Sequence, residues 1–156
     1  NLSLRQMRQK DLTQRVRQRF REYEISPTCI EFEITESTLM EDPTTTVGVL
    51  NEFYAMGVNL AIDDFGTGYS SLSSLQRFPI NTLKIDRSFV RDADIDRDDA
   101  TIVSTIIEMG RTLNMDVVAE GVETVNQFAF LENKGCHLFQ GFYFSRPLTR
   151  KEFRKL

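Results

Sequence analysis

Short runs rich in β-branched and aromatic residues recur along the chain, at "CIEFEIT" (29–35), "NLAIDDF" (59–65), "TLKID" (82–86), "DVVAEGV" (116–122) and "HLFQGFYF" (137–144). Their length and composition predict β-strands. Between them, apolar residues fall at helical spacing. Val47, Leu50 and Phe53 are in phase over 45–56, a second helix is predicted over 70–78, and Val103, Ile106, Ile107 and Leu113 mark a third over 100–113. A fourth covers 124–134, with Gly135 placed to cap its C-terminus. Ahead of the first strand, Leu4, Met7, Leu12, Val16 and Phe20 predict one amphipathic helix with an arginine-rich outer face. Strands alternating with helices imply βαβ units and a mainly parallel sheet.

The polar residues of the strands have a regular address. Glu33 and Glu36, Asp63 and Asp64, Lys84 and Asp86, Glu120 and Glu123, and Gln140 all sit late in a strand-like run or just past it. In a (β/α)8 TIM-like barrel, successive strand ends converge on one mouth, where active sites are built. In an open doubly wound sheet they would spread along an edge. The shared address favours an α/β barrel.

Composition narrows the class. With 156 residues, 40% hydrophobic and 27% charged, the chain suits one globular domain. No apolar run approaches the ~18 residues of a membrane span, so the expected location is cytoplasmic, in a parent protein that can still be membrane-anchored. Cys29 and Cys136 lack metal-binding spacing and are expected to be reduced, buried fillers. The single histidine, His137, argues against a histidine-rich metal site. The net charge of −4 is uneven. Residues 1–24 hold seven basic side chains against three acids, leaving the remainder at −8 (12 basic against 20 acidic). The apolar phase within the basic stretch favours a solvated surface helix, and no nucleic-acid polymer is expected as a partner.

Carboxylates gathered at one rim repel each other unless a cation neutralises them. The donors are oxygen only, which points to a hard ion, Mg2+ or Mn2+. Adjacent Asp63 and Asp64 would face opposite ways in a regular strand, but where the backbone turns both can face the rim and serve two ions. Such a pair activates water and neutralises both oxygens of an in-line phosphoryl displacement, with Lys84 holding the water or a phosphate oxygen. Other patterns are weaker. "GTG" at 66–68 lacks the glycine a G-x-G-x-x-G loop needs at Ser71 and reads as a turn. "DADIDRDD" (92–99) has Arg97 and Val103 where a calcium loop requires glycine and glutamate, so its last aspartates are expected to cap the next helix. Phe128, Phe130 and Phe153 are expected in the core.

Together, "NLS" (1–3), "EFEITES" (31–37), "DDFGTGYSSL" (63–72), "LKIDRSFV" (83–90), "VVAEGVET" (117–124) and "QGFYFSRPL" (140–148) closely resemble the EAL-domain family of bacterial phosphodiesterases, which hydrolyse cyclic di-GMP. The resemblance covers essentially the whole chain, in order. It implies metal ligands at Asn1, Glu33, Asp63, Asp64, Asp86 and Glu120, with two ions bound. It assigns catalysis to Lys84, Glu120 and Glu123, and places Gln140 and Glu123 against substrate. Glu36 matches the glutamate that anchors the loop after Asp64, which in the family links metal binding to a dimer interface. A homodimer through 63–72 and the neighbouring helix is therefore expected, with sensory or GGDEF-type domains upstream. The implied reaction opens one phosphodiester of cyclic di-GMP to linear pGpG.

One departure stands out. The family's Glu-Ala-Leu signature and its nearby arginine lie on the first barrel strand, and neither is present here. Residues 1–156 are expected to be the C-terminal portion of a single EAL domain, an incomplete barrel lacking roughly the first three strands. On its own this portion is expected to be inactive. The alternative reading is a catalytically silent EAL-type receptor for cyclic di-GMP, or a protein-interaction scaffold.

Overall fold

The computed structural model describes residues 1–68 and 75–155. Five strands, β1 (Glu31–Thr35), β2 (Asn59–Phe65), β3 (Thr82–Ile85), β4 (Asp116–Glu120) and β5 (Leu138–Gln140), pair in chain order, and every pairing is parallel. The helices are α1 (Leu4–Met7), α2 (Leu12–Glu22), α3 (Glu36–Glu41), α4 (Pro43–Met56), α5 (Arg87–Asp92), α6 (Arg97–Leu113), α7 (Val125–Asn133) and α8 (Arg150–Phe153). This is the strand–helix alternation of an α/β barrel, and among the described residues β1 and β5 are the edges of an unclosed sheet.

Register and the two-residue strand period divide the sheet into two faces. Ile34, Ile62 and Leu83 are neighbours on one face, and Ile85 lies beside Ala119. All five are fully buried, packed in one cluster with Leu39 of α3, Leu50 and Phe53 of α4 and Val103 of α6. Each of the larger side chains, the isoleucines, leucines, valine and phenylalanine, contributes about 1.5–3 kcal/mol when withdrawn from water. The opposite face carries Glu31, Glu33, Asp63, Thr82, Lys84, Glu120 and Gln140, because Thr35 pairs with Asp63, Ala61 with Thr82, and Glu120 with Gln140. One face builds the core and the other builds the site.

Helix ends follow their local chemistry. Asp42 accepts from Thr45 N–H to cap α4, which begins at Pro43 and ends at Gly57 with φ +90°. Thr124 and Gln127 form a reciprocal capping box at α7, and Gly135 takes φ +86° just past its end.

Five expectations are corrected. The N-terminal helix is two helices, because the polar stretch 8–11 has nothing to bury and its turn lets α1 and α2 both contact α4. The last strand stops at Gln140, where the chain bends so that Phe128, Phe139, Tyr143 and Phe144 cluster, with ring centroids 4.9–6.1 Å apart. Helix α6 starts at Arg97, and it is Asp96 that caps it, accepting from Asp98 and Asp99 N–H. Cys29 is exposed at the end of a short 3-10 turn, whereas Cys136 is buried. Phe153 is 69% exposed on the short terminal helix α8, while Phe128 and Phe130 do pack against the core. The helix predicted over 70–78 and the dimer segment 63–72 fall in part outside the described residues.

Candidate metal and substrate site

Lys84 projects from the middle of the polar face and is only 5% exposed. Its Nζ lies 2.5 Å from Glu33 Oε1, 2.6 Å from Glu120 Oε1 and 3.2 Å from Asp63 Oδ1, so β1, β2, β3 and β4 meet at one ammonium group. Burial works against its charge. Hydrogen bonds to Glu120 and Glu33, with the charges of Glu120 and Asp63, outweigh burial and push its pKa up. Lys84 is therefore a fixed cation rather than a base.

The backbone explains how two adjacent aspartates reach one rim. Between β2 and β3 the pairing shifts: Ile62 pairs with Leu83 and Phe65 with Ile85, so Asp63 and Asp64 together oppose Lys84. Asp64 sits in the left-handed region at φ +53°. This β-bulge cancels the alternation that would send the second aspartate into the core. One ligand oxygen from each of Asp63, Asp64 and Glu120 can then lie within 4.8 Å of the others. Burial comes first among the causes that raise the Asp64 pKa, followed by a hydrogen bond with Asp86 and the charges of Asp63, Asp86 and Glu120. For Asp86, burial is outweighed by hydrogen bonds from Ser88 Oγ and N–H, by Asp64 and by Arg87, and its carboxyl falls below the usual range.

Asp63 Oδ1 is buried without a hydrogen bond, although Lys84 lies near it. An orphaned carboxylate oxygen beside two further carboxylates, with no sulfur or imidazole donor, fits a hard divalent cation.

Glu36, the first residue of α3, is 3% exposed, and its Oε2 accepts from Gly66 N–H (3.1 Å) and Gly68 N–H (3.2 Å). Gly66 has φ +102°, and a Cβ on Gly68 would lie 2.8 Å from the Glu36 carboxyl carbon. Both glycines are thus required where the post-Asp64 loop begins.

Beside Glu120 opens a cleft of about 500 Å³, lined among others by Arg87, Glu123, Gln140, Phe142 and Arg146. The Arg146 guanidinium lies 5.2 Å from the Phe142 ring centroid. The structure thus brings Glu33, Asp63, Lys84 and Glu120 into contact, sets Asp64 against Asp86, and places Glu123 and Gln140 on the adjoining cleft. Asn1 is exposed. Its neighbour Leu2 donates to Glu33 O at 2.7 Å, which places Asn1 at the β1 edge, level with the site. Among the described residues, no side-chain hydrogen bond links Asn1 to the cluster. Sequence reasoning missed Gln127, which is 5% exposed and accepts from Glu123 N–H (2.7 Å) and Thr124 N–H (3.0 Å). The Thr124-x-x-Gln127 spacing was the available signal.

The chain belongs to the EAL domain family, whose sequence model matches residues 1–147. It is 46% identical over 152 residues to the bifunctional diguanylate cyclase/cyclic di-GMP phosphodiesterase MucR of Pseudomonas aeruginosa. That match covers 97% of this chain and 22% of MucR, so the chain spans about a fifth of this relative's length. Among solved structures, the P. aeruginosa MucR phosphodiesterase in its c-di-GMP complex superposes with a TM-score of 0.93 at 46% identity, covering 98% of this chain and 62% of that one. The manganese and cyclic di-GMP complex of Klebsiella pneumoniae BlrP1 at pH 6 gives 0.84 at 36% identity, covering 91% and 36%.

Proposed function

We propose that this chain supplies most of the active site of a metal-dependent phosphodiesterase that hydrolyses cyclic di-GMP to linear pGpG, using Mg2+ or Mn2+ in a two-ion site. The observation that carries the reading is the meeting of Glu33, Asp63 and Glu120 on Lys84, with the buried Asp63 Oδ1 ion-paired to Lys84 but accepting no hydrogen bond. Support also comes from the family and from relatives named for this activity.

Asp63, Asp64, Asp86, Glu33 and Glu120 would hold the ions, with Asn1 completing the set from the β1 edge. When bound, the ions polarise the phosphodiester and lower the pKa of the attacking water. Lys84 stays protonated and holds the water or a phosphate oxygen in place. Water adds across one P–O bond, a new P–O bond forms, and the ribose oxygen leaves carrying a proton. Glu123 and Gln140 orient the dinucleotide in the cleft, and Glu36 fixes the loop beside the ions. The chain spans about a fifth of MucR's length, so the activity is assigned to the complete protein. The test is cyclic di-GMP hydrolysis by that protein with Mg2+ or Mn2+. Binding without turnover would instead favour a silent receptor, and neither binding nor turnover would end the reading.

A further inference from the structure

Gln127 does more than a capping residue requires. A capping box needs only its side-chain oxygen, which receives the Glu123 and Thr124 amides. Its Nε2 also donates to Arg91 O at 2.8 Å, 36 positions away in the chain. Arg91 lies in the last turn of α5, where carbonyls lack helical partners. Asp86 caps the other end of that same short helix and faces Asp64.

The loop that Gln127 grips is held on its far side as well. Val122 N–H donates to Gln140 O (3.1 Å), Tyr143 N–H donates to Val122 O (2.9 Å), and a Cβ on Gly141 would lie only 2.0 Å from Val122 O. The segment between Glu120 and α7 is therefore fixed to β5 through Val122 and to α5 through Gln127. Gln127 is buried, and both ends of its amide are bonded. A buried, fully bonded amide is a rigid spacer, since breaking any of its bonds leaves an unpaired polar group.

We propose that Gln127 is a positioning residue: its amide locks the loop carrying Glu123 to the helix that Asp86 begins, and so sets the distance between the substrate wall and the metal-side carboxylates. The inference rests on the phosphodiesterase reading and deepens it.

The test compares Gln127→Met, Gln127→Glu and Thr124→Ala in the complete protein. Gln127→Met keeps the volume and removes all three hydrogen bonds. It should lower kcat by about tenfold, the usual size of losses when a supporting partner is removed, and weaken cyclic di-GMP binding in Ca2+ by a similar factor. Gln127→Glu keeps the acceptor but loses the donor to Arg91 O and should fall between Met and wild type. Thr124→Ala weakens only the cap, so it should lower Tm while kcat and affinity stay near wild type. If the Gln127 variants lose Tm but bind and turn over like wild type, Gln127 is a cap and the inference is wrong. If the wild type neither binds nor cleaves cyclic di-GMP, the proposed function fails, and hydrogen exchange at the Glu123 amide then decides the inference. Faster exchange in Gln127→Met, but not in Thr124→Ala, supports the lock, and equal exchange overturns it.

Discussion

The chain gathers five acids twice, and the two groups behave in opposite ways. Residues 92–99 hold Asp92, Asp94, Asp96, Asp98 and Asp99 within eight positions. The rim collects Glu33, Asp63, Asp64, Asp86 and Glu120 from three separate strands and the turn after β3. In the first group the acids serve a helix. Asp96 caps α6 through the Asp98 and Asp99 amides, and Asp98 and Asp99 occupy its first turn, where the helix dipole favours negative charge. Asp92 is paired with Arg91 at 2.8 Å. Burial and the charges of Asp96 and Asp92 raise the Asp99 carboxyl, which stays partly open to solvent. In the second group the acids face one another across a half-buried rim; one lysine is the shared counter-charge of Glu33, Asp63 and Glu120, and Asp64 faces Asp86. The local density of acids therefore says little about function. What separates the groups is whether backbone amides and solvent already satisfy the charges.

Breaking the rim should have the largest effect. Asp63→Asn removes the negative charge of the most central rim carboxylate and should lower cyclic di-GMP turnover by about 10³-fold, the equivalent of several kcal/mol of lost charge stabilisation. A steady-state assay with saturating Mn2+ checks this, and an unchanged rate would detach the rim from the chemistry. Next in size is Lys84→Met, which leaves Glu33, Asp63 and Glu120 facing each other with no cation. It should destabilise the metal-free protein by about 3 kcal/mol, as removal of one partner of a buried pair does. Urea melts should show the deficit shrinking when Mn2+ is added, because the ion replaces the missing charge.

The helix-serving group should give smaller numbers and no loss of activity. Asp96→Ala deletes the α6 cap and should cost about 1 kcal/mol of stability with turnover intact. The smallest effect is expected from Asp64→Asn in metal-free protein. The Asp64 carboxyl is raised above its ordinary 3.8, so its contribution to stability is complete below that value and is lost as pH rises through the folded value. The asparagine variant should thus melt slightly higher than wild type at pH 7, with the gain fading on acidification. A gain that persists at pH 3 would assign it to packing instead.

Much of this arrangement was legible in the chain. The strand positions, the parallel order and the convergence of Glu33, Asp63, Lys84 and Glu120 all follow from runs of apolar residues that end in polar ones. What stayed hidden depends on backbone detail and on distant partners. No local signal marks the φ of Asp64 or the pairing shift between Ile62 and Phe65. The three-way sharing of Lys84 needs the sheet register, and the Gln127–Arg91 contact joins segments with no common pattern. The break between α1 and α2 was missed because Leu4, Met7 and Leu12 keep helical phase across it. Exposure misled at Cys29, in the turn before β1, and at Phe153 near the C-terminus, both of types that are usually covered.

The surplus residue between Ile62 and Phe65 has a consequence for how this domain tolerates change. Shortening β2 by one position there would look harmless in an alignment, a trim beside a glycine turn. It would straighten the strand, return the side chains to strict in-and-out order and leave a single aspartate at the mouth. The pair exists only while β2 is one residue longer than its neighbour requires.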